Sequence, residues 1–147
     1  MKRIKLFESF VGEDKLKQFC EENLAYLIDN GYKFEITDDD QDDEEFEDIK
    51  QVTIYKSNGR MDTESFKISD IKYDLIPFLI ELDSKWLLRS YSDKIRDEKV
   101  FIRYTYQFGR KEYVSFRDWR SSSISELDEI DENLRINLIE VLVIGMK

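Results

Sequence analysis

The chain has 147 residues, contains one cysteine and no histidine, and carries a formal net charge of −10. The missing histidines exclude the commonest general base and metal ligand, and the lone cysteine excludes an internal disulfide. The acidic charge disfavours nucleic-acid binding, whose affinity comes mainly from contacts with phosphates. Length and composition predict a single domain over residues 1–147. Because no apolar run is long enough for a membrane span or a secretory signal, we expect a cytoplasmic protein without a membrane partner.

The N-terminal part predicts a helix over residues 14–30, followed by a strand. Apolar side chains recur there with a 3.6-residue period that places them on one helix face. They are Leu16, Phe19, Cys20, Leu24, Leu27 and Ile28. Asp14 is positioned to cap the start of this helix, and Gly31 to end it in a left-handed conformation. Alternation of apolar and polar residues in 32–37 then predicts a half-buried strand.

An acidic run follows this strand, with nine carboxylates in the eleven residues 38–48. Its acidic members are Asp38, Asp39, Asp40, Asp42, Asp43, Glu44, Glu45, Glu47 and Asp48. A second strand is predicted at residues 51–56, so the acidic run is expected to be the loop between the two strands. Ser57-Asn58-Gly59 predicts a turn toward a third strand that contains Phe66 and Ile68.

A second helix is indicated by apolar residues on one face between Ile71 and Trp86. Pro77 lies within this pattern and would clash with the carbonyl of Tyr73 in a continuous helix. The helix therefore either kinks at Pro77 or starts near Asp74. The later start is favoured, because it places Pro77 in the first turn, where its missing N–H costs little.

A basic and aromatic hairpin is predicted next, within a segment, residues 99–120, whose net charge is +4. One strand ends at Tyr106, and the chain returns as Lys111–Arg117 through a loop that contains glycine. Residues 118–123 predict a loop. Trp119, between Arg117 and Arg120, is a candidate interface anchor, because Trp and Arg are enriched at binding hot spots. In the alternative interpretation, the aromatic residues face the core and the arginines pair with this chain's own acids.

The C-terminal part predicts a short acidic helix and then a strand. Ser123 and Glu126 fit a capping box at the start of that helix. Residues 138–144 are rich in β-branched side chains, which favour a strand, although one long helix over residues 127–141 also fits the apolar spacing. The predicted order is α-β-β-β-α-β-β-α-β. This order indicates an α+β fold, with a mainly antiparallel sheet and helices on one face.

The sequence contains no motif of a catalytic or cofactor site. Phosphate-binding glycine loops, nucleophile elbows and zinc-binding motifs are all missing. A calcium-binding loop of the EF-hand type that starts at Asp38 is excluded. Such a loop requires Gly at its sixth position and Glu at its twelfth, and the chain has Asp43 and Ile49 there. We therefore predict that the protein is not an enzyme and has no cofactor. A carboxylate–metal enzyme is the alternative that the abundant Asp and Glu residues permit.

Three functions fit the acidic run: a nucleic-acid mimic, a docking segment for a basic protein, and a cation site. The simplest alternative is a solvated loop, because neighbouring carboxylates repel one another. B-DNA carries about one charge per 1.7 Å, a density that the acidic run in extended form approaches. We predict a protein partner with a basic surface and no direct nucleic-acid binding. The predicted contact residues are the nine acidic residues of the run together with Arg117, Trp119 and Arg120.

The opening decapeptide, Met1 to Phe10, begins with Met-Lys, alternates hydrophobic residues with lysine and contains Phe-Glu-x-Phe. Further on, a helix ends at Asn30-Gly31-Tyr32, and Phe66-Lys67-Ile68 leads through Asp70-Ile71-Lys72 into an apolar helix. This pattern, across about two thirds of the chain, resembles small accessory proteins of large tailed bacteriophages, a group without an assigned activity.

The resemblance implies a viral protein made in bacterial cytoplasm that modulates a host or viral protein. Inhibitors of bacterial defence that imitate nucleic acid are included in this expectation. Two alternatives concern the opening decapeptide. It could act as a head-targeting tag, which would make the protein a structural component of the virion, or it could be a first strand or docked terminus of the fold.

Overall fold

The structure, a computed structural model, describes residues 12–38, 49–57, 63–90, 98–104, 106–108, 111–113 and 119–147. The helices are α1 (Glu13–Asn23), α2 (Ala25–Asp29) and α3 (Ile68–Lys85), with a 3₁₀ helix at Ser125–Glu129. The strands are β1 (Tyr32–Asp38), β2 (Lys50–Ser57), β3 (Thr63–Glu64), β4 (Phe66–Lys67), β5 (Trp86–Arg89), β6 (Val100–Tyr104), β7 (Tyr106–Phe108), β8 (Lys111–Tyr113), β9 (Trp119–Ser122) and β10 (Arg135–Met146). None of the helices in these ranges is both long enough and apolar enough to cross a membrane.

The predicted first helix is present but is interrupted at Leu24, which separates α1 from α2. Gly31 has φ 92°, so the predicted left-handed stop is confirmed. The predicted capping role of Asp14 is wrong, because α1 begins one residue earlier and its N-cap is Gly12. A Cβ at Gly12 would lie 2.9 Å from the ring of Trp86, which is 3% exposed, so close packing against this buried ring favours glycine there.

The main sheet is antiparallel and has eight strands in the order β1-β2-β10-β6-β9, with β3 paired to β2 and both β4 and β5 paired to β10. Strand β10 spans 12 residues and pairs with four other strands. The predicted terminal strand is therefore confirmed, and it lies at the centre of the sheet. The predicted hairpin is present with different bounds, because β7 and β8 form a separate two-stranded sheet and β7 continues to Phe108, beyond the predicted strand end at Tyr106. Residues 100–104 belong instead to the main sheet, as β6.

The core lies between the helices and one face of the main sheet. Inward-facing residues of β2, β6 and β10, such as Ile54, Ile102 and Ile139, are at most 1% exposed. Leu16 of α1, Leu27 of α2 and the inner face of α3 belong to the same buried cluster. The α+β fold with a mainly antiparallel sheet and helices on one face is thus confirmed.

Helix α3 starts earlier than predicted. It begins at Ile68, and Pro77 lies in its interior. The start is fixed by Asp70, whose carboxylate accepts a hydrogen bond from the Lys67 backbone N–H at 3.2 Å. Burial of Ile68 and Ile71 contributes about 1.5–3 kcal/mol each, which offsets the cost of about 3 kcal/mol for an interior proline. Ile68 therefore belongs to α3 and not to the third strand.

Residues 119–122 form strand β9 rather than part of a loop. Strand β9 pairs with β6, and Arg103 lies opposite Trp119. The rings of Phe101 and Trp119 are stacked, with centroids 4.4 Å apart and planes 8° from parallel. This cross-strand pair stabilises the strand, a tertiary contact that the polar neighbours of Trp119 do not reveal.

Candidate functional site

Helix α3 carries apolar residues on two opposite faces. Its inner face packs in the core through Ile71, Leu75, Phe78, Leu79 and Leu82. Its second apolar stripe, at offsets 0, 3, 4 and 7, consists of Tyr73, Ile76, Pro77 and Ile80. Tyr73 is 79% exposed and Ile80 is 57% exposed. A helix that is apolar on both faces is normally covered on both, so the outer stripe is the first candidate for a contact surface.

The outer stripe forms one wall of a groove of about 630 Å³. The opposite wall is the segment that leads into the 3₁₀ helix. The described lining residues are Lys72, Tyr73, Ile76, Pro77, Ile80, Asp83, Lys99, Ser123, Ile124, Ser125 and Asp128. Its centre is aliphatic and aromatic, whereas its charged residues form one lysine–aspartate pair near each end, Lys72 with Asp128 and Lys99 with Asp83. We call this hollow the α3 groove.

A second hollow, of about 410 Å³, lies on the other side of the outer stripe. Tyr73 and Pro77 line both hollows and therefore form the ridge between them. Tyr26 of α2 lines the second hollow and is 66% exposed. Asp74 and Glu81 lie at its border. The ridge and its two hollows form one continuous surface that mixes apolar side chains with carboxylates.

One end of the α3 groove is built around Lys72. Its Nζ atom lies 3.5 Å from Asp128 Oδ1 and 3.5 Å from Glu132 Oε1. The lysine side chain is 9% exposed, whereas both acidic side chains are 72% exposed. Desolvation lowers the pKa of Lys72, but the nearby Tyr73, Asp128 and Glu132 together raise it above its ordinary value. The ammonium therefore stays charged and holds two outward-facing carboxylates.

The other end of the α3 groove has a similar pair. Lys99 Nζ contacts Asp83 Oδ1 at 2.8 Å, and again the lysine is less exposed than the acid, 19% against 33%. Asp83 lies eleven residues after Lys72 on the same helix, which corresponds to about 16 Å along the axis. The α3 groove thus has an apolar centre and an inner lysine paired with an outer carboxylate at each end.

The serine hydroxyls and the thiol among the described residues have structural surroundings. Ser123 and Ser125 contact each other through their hydroxyls at 3.2 Å, and Ser123 also accepts a hydrogen bond from the Glu126 N–H. That second bond is the one expected from the predicted capping box, but the N-cap of the 3₁₀ helix is Ile124 and not Ser123. Cys20, the one thiol, lies in the core, where burial raises its pKa to about 12. Across the described ranges, no group of three or more His, Cys, Asp or Glu residues is arranged to hold a metal ion.

Of the acidic run, the structure describes Asp38 alone; the other eight predicted acidic residues lie outside the described residues. Asp38 is the last residue of β1 and pairs in register with Lys50 of β2. The Lys50 ammonium, whose side chain is 9% exposed, contacts the carboxylates of both Asp38 and Glu13. Asp38 therefore helps to tie the end of β1 to β2 and α1, a structural role in addition to any contact with a partner.

The structure describes two of the three predicted contact residues near the hairpin, Trp119 and Arg120, while Arg117 lies outside the described residues. Trp119 is half-buried, and the Arg103 guanidinium carbon lies 4.7 Å from its ring centroid. Arg120 is exposed. Trp119 is on the sheet face opposite the helices, because the alternate residues of its partner β6, Val100 and Ile102, point into the core. The structure therefore does not place Trp119 and the α3 groove on one surface.

No protein-family model, curated protein or solved structure matches the chain. The site is therefore defined by its geometry. The α3 groove is absent from the sequence-based prediction, although a signal for it was present. Tyr73, Ile76, Pro77 and Ile80 repeat at helical spacing, opposite the stripe that was assigned to the core.

Proposed function

We propose that the chain is a non-enzymatic accessory protein, of the phage type, that binds a protein partner with a basic surface. The observation that carries the proposal is the exposed outer stripe of α3, which lies between two hollows and is bordered by carboxylates. An apolar ridge of this kind, rimmed by polar residues, is typical of protein–protein contact sites.

The apolar ridge supports a protein partner, because burial of such side chains is the main favourable term in association. Covering an aliphatic anchor such as Ile80 contributes about 1.5–3 kcal/mol. Tyr73 adds a large, rigid ring with a polar tip, the type of side chain found at binding hot spots. A few such anchors suffice for micromolar binding, which corresponds to about 8 kcal/mol net of the cost of association.

The carboxylates at the border support a partner with a basic surface. Asp83 and Asp128 belong to the α3 groove, and Asp74 and Glu81 to the neighbouring hollow. With a formal charge of −10 on the whole chain, long-range attraction raises the encounter rate with basic proteins and lowers it with nucleic acids. The partner would therefore have Lys or Arg residues around an apolar patch.

The acidic run is the second proposed contact. Asp38 and Lys50 are paired at the ends of β1 and β2, so residues 39–48 connect two adjacent strands of the sheet. If this segment imitates nucleic acid, the partner is a nucleic-acid-binding protein of the bacterial host, such as a defence protein. The two contacts can be tested separately, since one depends on apolar residues and the other on charge.

Affinity capture from bacterial lysate tests the proposal. Three tagged proteins are compared at low and high salt: the wild type, the double variant Tyr73→Ser with Ile80→Ser, and a variant carrying Asn or Gln at the nine acidic positions of the run. We expect the wild type to retain a basic protein. The Tyr73→Ser/Ile80→Ser variant should lose it at every salt concentration, whereas the acid-neutralised variant should bind more weakly, mainly at low salt.

Leu87→Ser is the matched control, because Leu87 is 45% exposed, lies in β5 and lines neither hollow. This variant should capture as the wild type does. The proposal is wrong for the α3 groove if Tyr73→Ser/Ile80→Ser and Leu87→Ser retain the partner equally. Thermal melts of all variants show whether a lost partner reflects a lost contact or a lost fold.

A further inference from the structure

The features of the α3 groove specify the bound partner more closely than the requirement for a basic surface alone. We propose that it binds an amphipathic helix with an apolar stripe and a lysine or arginine at each end of that stripe, about 16 Å apart. This inference rests on the proposed function, which it makes specific. It states a spacing and an arrangement of charge that a peptide can be designed to match.

A helix is the favoured occupant because the outer stripe of α3 is a helical ridge. Tyr73, Ile76, Pro77 and Ile80 project at offsets 0, 3, 4 and 7, and ridges of this type pack between the ridges of a second helix. The partner helix would bury its own residues at the same offsets. Amphipathic helices bound in apolar grooves use this set of anchors.

The two ends of the groove favour a cation each. Lys72 contacts Asp128 through Oδ1, and Lys99 contacts Asp83 through Oδ1. Within the described ranges, the second carboxylate oxygen of each acid accepts no hydrogen bond or ion pair. An ionised carboxylate has about four acceptor positions. Each acid can therefore accept a partner cation on its free oxygen while the inner lysine holds it in place.

The internal lysines make this arrangement selective. Lys72 and Lys99 are less exposed than the acids that they hold, so an incoming helix meets the carboxylates first. A helix with acidic ends would face those carboxylates directly and be repelled, which is how charged pairs discriminate between partners. The apolar stripe supplies most of the affinity, and the two charges set the register of the bound helix.

The probe is a fluorescently labelled peptide of about twelve residues, with leucines on one helix face and a lysine at each end of that face, about 16 Å apart. Two control peptides differ from it in one respect each. The first carries glutamate in place of both lysines. The second keeps both lysines but places them about 5 Å apart, one helical turn. Binding is measured by fluorescence anisotropy, with the full chain, at low salt and at physiological salt.

We expect the lysine-ended peptide to bind at least tenfold more tightly than either control. The double variant Asp83→Asn with Asp128→Asn should weaken its binding about tenfold, since two partly exposed ion pairs at roughly 0.7 kcal/mol each amount to that factor. Asp14→Asn with Asp29→Asn is the charge-matched control, because both residues are exposed on α1 and α2 and line neither hollow. This control should change the affinity less than twofold.

The inference is overturned if the three peptides bind equally, if the lysine-ended peptide does not bind, or if both aspartate variants weaken binding to the same extent. The proposed function fails separately, when capture of a partner is insensitive to Tyr73→Ser/Ile80→Ser. A second copy of the chain is the competing occupant. Sedimentation that shows a dimer, lost in Tyr73→Ser/Ile80→Ser, would assign the α3 groove to self-association and reject the peptide.

Discussion

The two faces of α3 carry apolar residues at the same helical spacing but are used differently. Leu79 and Ile80 are consecutive in the chain, yet Leu79 is fully buried and Ile80 is 57% exposed. The inner face packs on the central sheet, whereas the outer face borders two hollows. Apolar periodicity therefore identifies a helix face that must be covered, while only the tertiary structure shows whether the chain itself covers it.

Truncating Leu79 and Ile80 separately should give the largest difference between the two faces. Leu79→Ala should lower the free energy of unfolding by about 2–5 kcal/mol, because it leaves a cavity in the core. Ile80→Ala should change the free energy of unfolding by at most about 0.5 kcal/mol but weaken partner capture. Urea denaturation and affinity capture measure the two effects. Equal destabilisation by both variants would show that the outer face is covered by the chain itself.

Replacing Pro77 tests how much stability α3 loses by having a proline in its outer face. Pro77→Ala removes the ring from the helix interior and restores an N–H that can bond to the Tyr73 carbonyl. We expect the free energy of unfolding to rise by about 1–3 kcal/mol, somewhat less than the full cost of an interior proline. Thermal and urea denaturation measure it. An unchanged or lower stability would mean that Pro77 is required by the local geometry of α3.

The smallest expected effect is the contribution of Lys72 to the pH dependence of stability. The side chain of Lys72 is buried, and its ammonium lies at one end of the α3 groove. Because its pKa is raised in the folded protein, the folded state holds this proton more tightly than the unfolded state. The resulting stabilisation is complete below the unfolded-state pKa, about 10.4 for lysine, and is lost as the pH rises through the higher folded-state value. Urea denaturation over about pH 9–12 should therefore show a steeper loss of stability for the wild type than for Lys72→Met. If the wild type and Lys72→Met lose stability in parallel over this pH range, the raised pKa of Lys72 is contradicted.

Much of the fold could be predicted from the sequence, because local periodicity and tertiary burial agree. The left-handed Gly31 and the β-branched run in β10 lie where the pattern indicates, and so does the stripe of α1 and α2 except for Ile28, which is 40% exposed. Prediction failed where a tertiary contact outweighs a local rule. Pro77 stays inside α3 because Ile68 and Ile71 are buried, and Trp119 is in a strand because it stacks on Phe101.

The candidate site was predicted less well, and for a physical reason. Runs of charge such as residues 38–48 are conspicuous in a sequence, but they do not reveal which surface is concave or apolar. The α3 groove depends on two segments about fifty residues apart, α3 and Ser123–Asp128, being packed side by side. Only the outer stripe, from Tyr73 to Ile80, can be recognised in the local sequence. Without the tertiary structure, it looks like a continuation of the apolar stripe that packs in the core.

Site-specific photo-cross-linking in bacterial cytoplasm tests directly whether the outer face of α3 is the contact surface. A photoreactive side chain is placed at Ile80 in one variant and at Leu87 in another, since both residues are exposed and apolar. We expect the Ile80 variant to cross-link to one basic protein and the Leu87 variant to give no cross-link. Cross-links from Leu87 alone, or the same products from both positions, would contradict it.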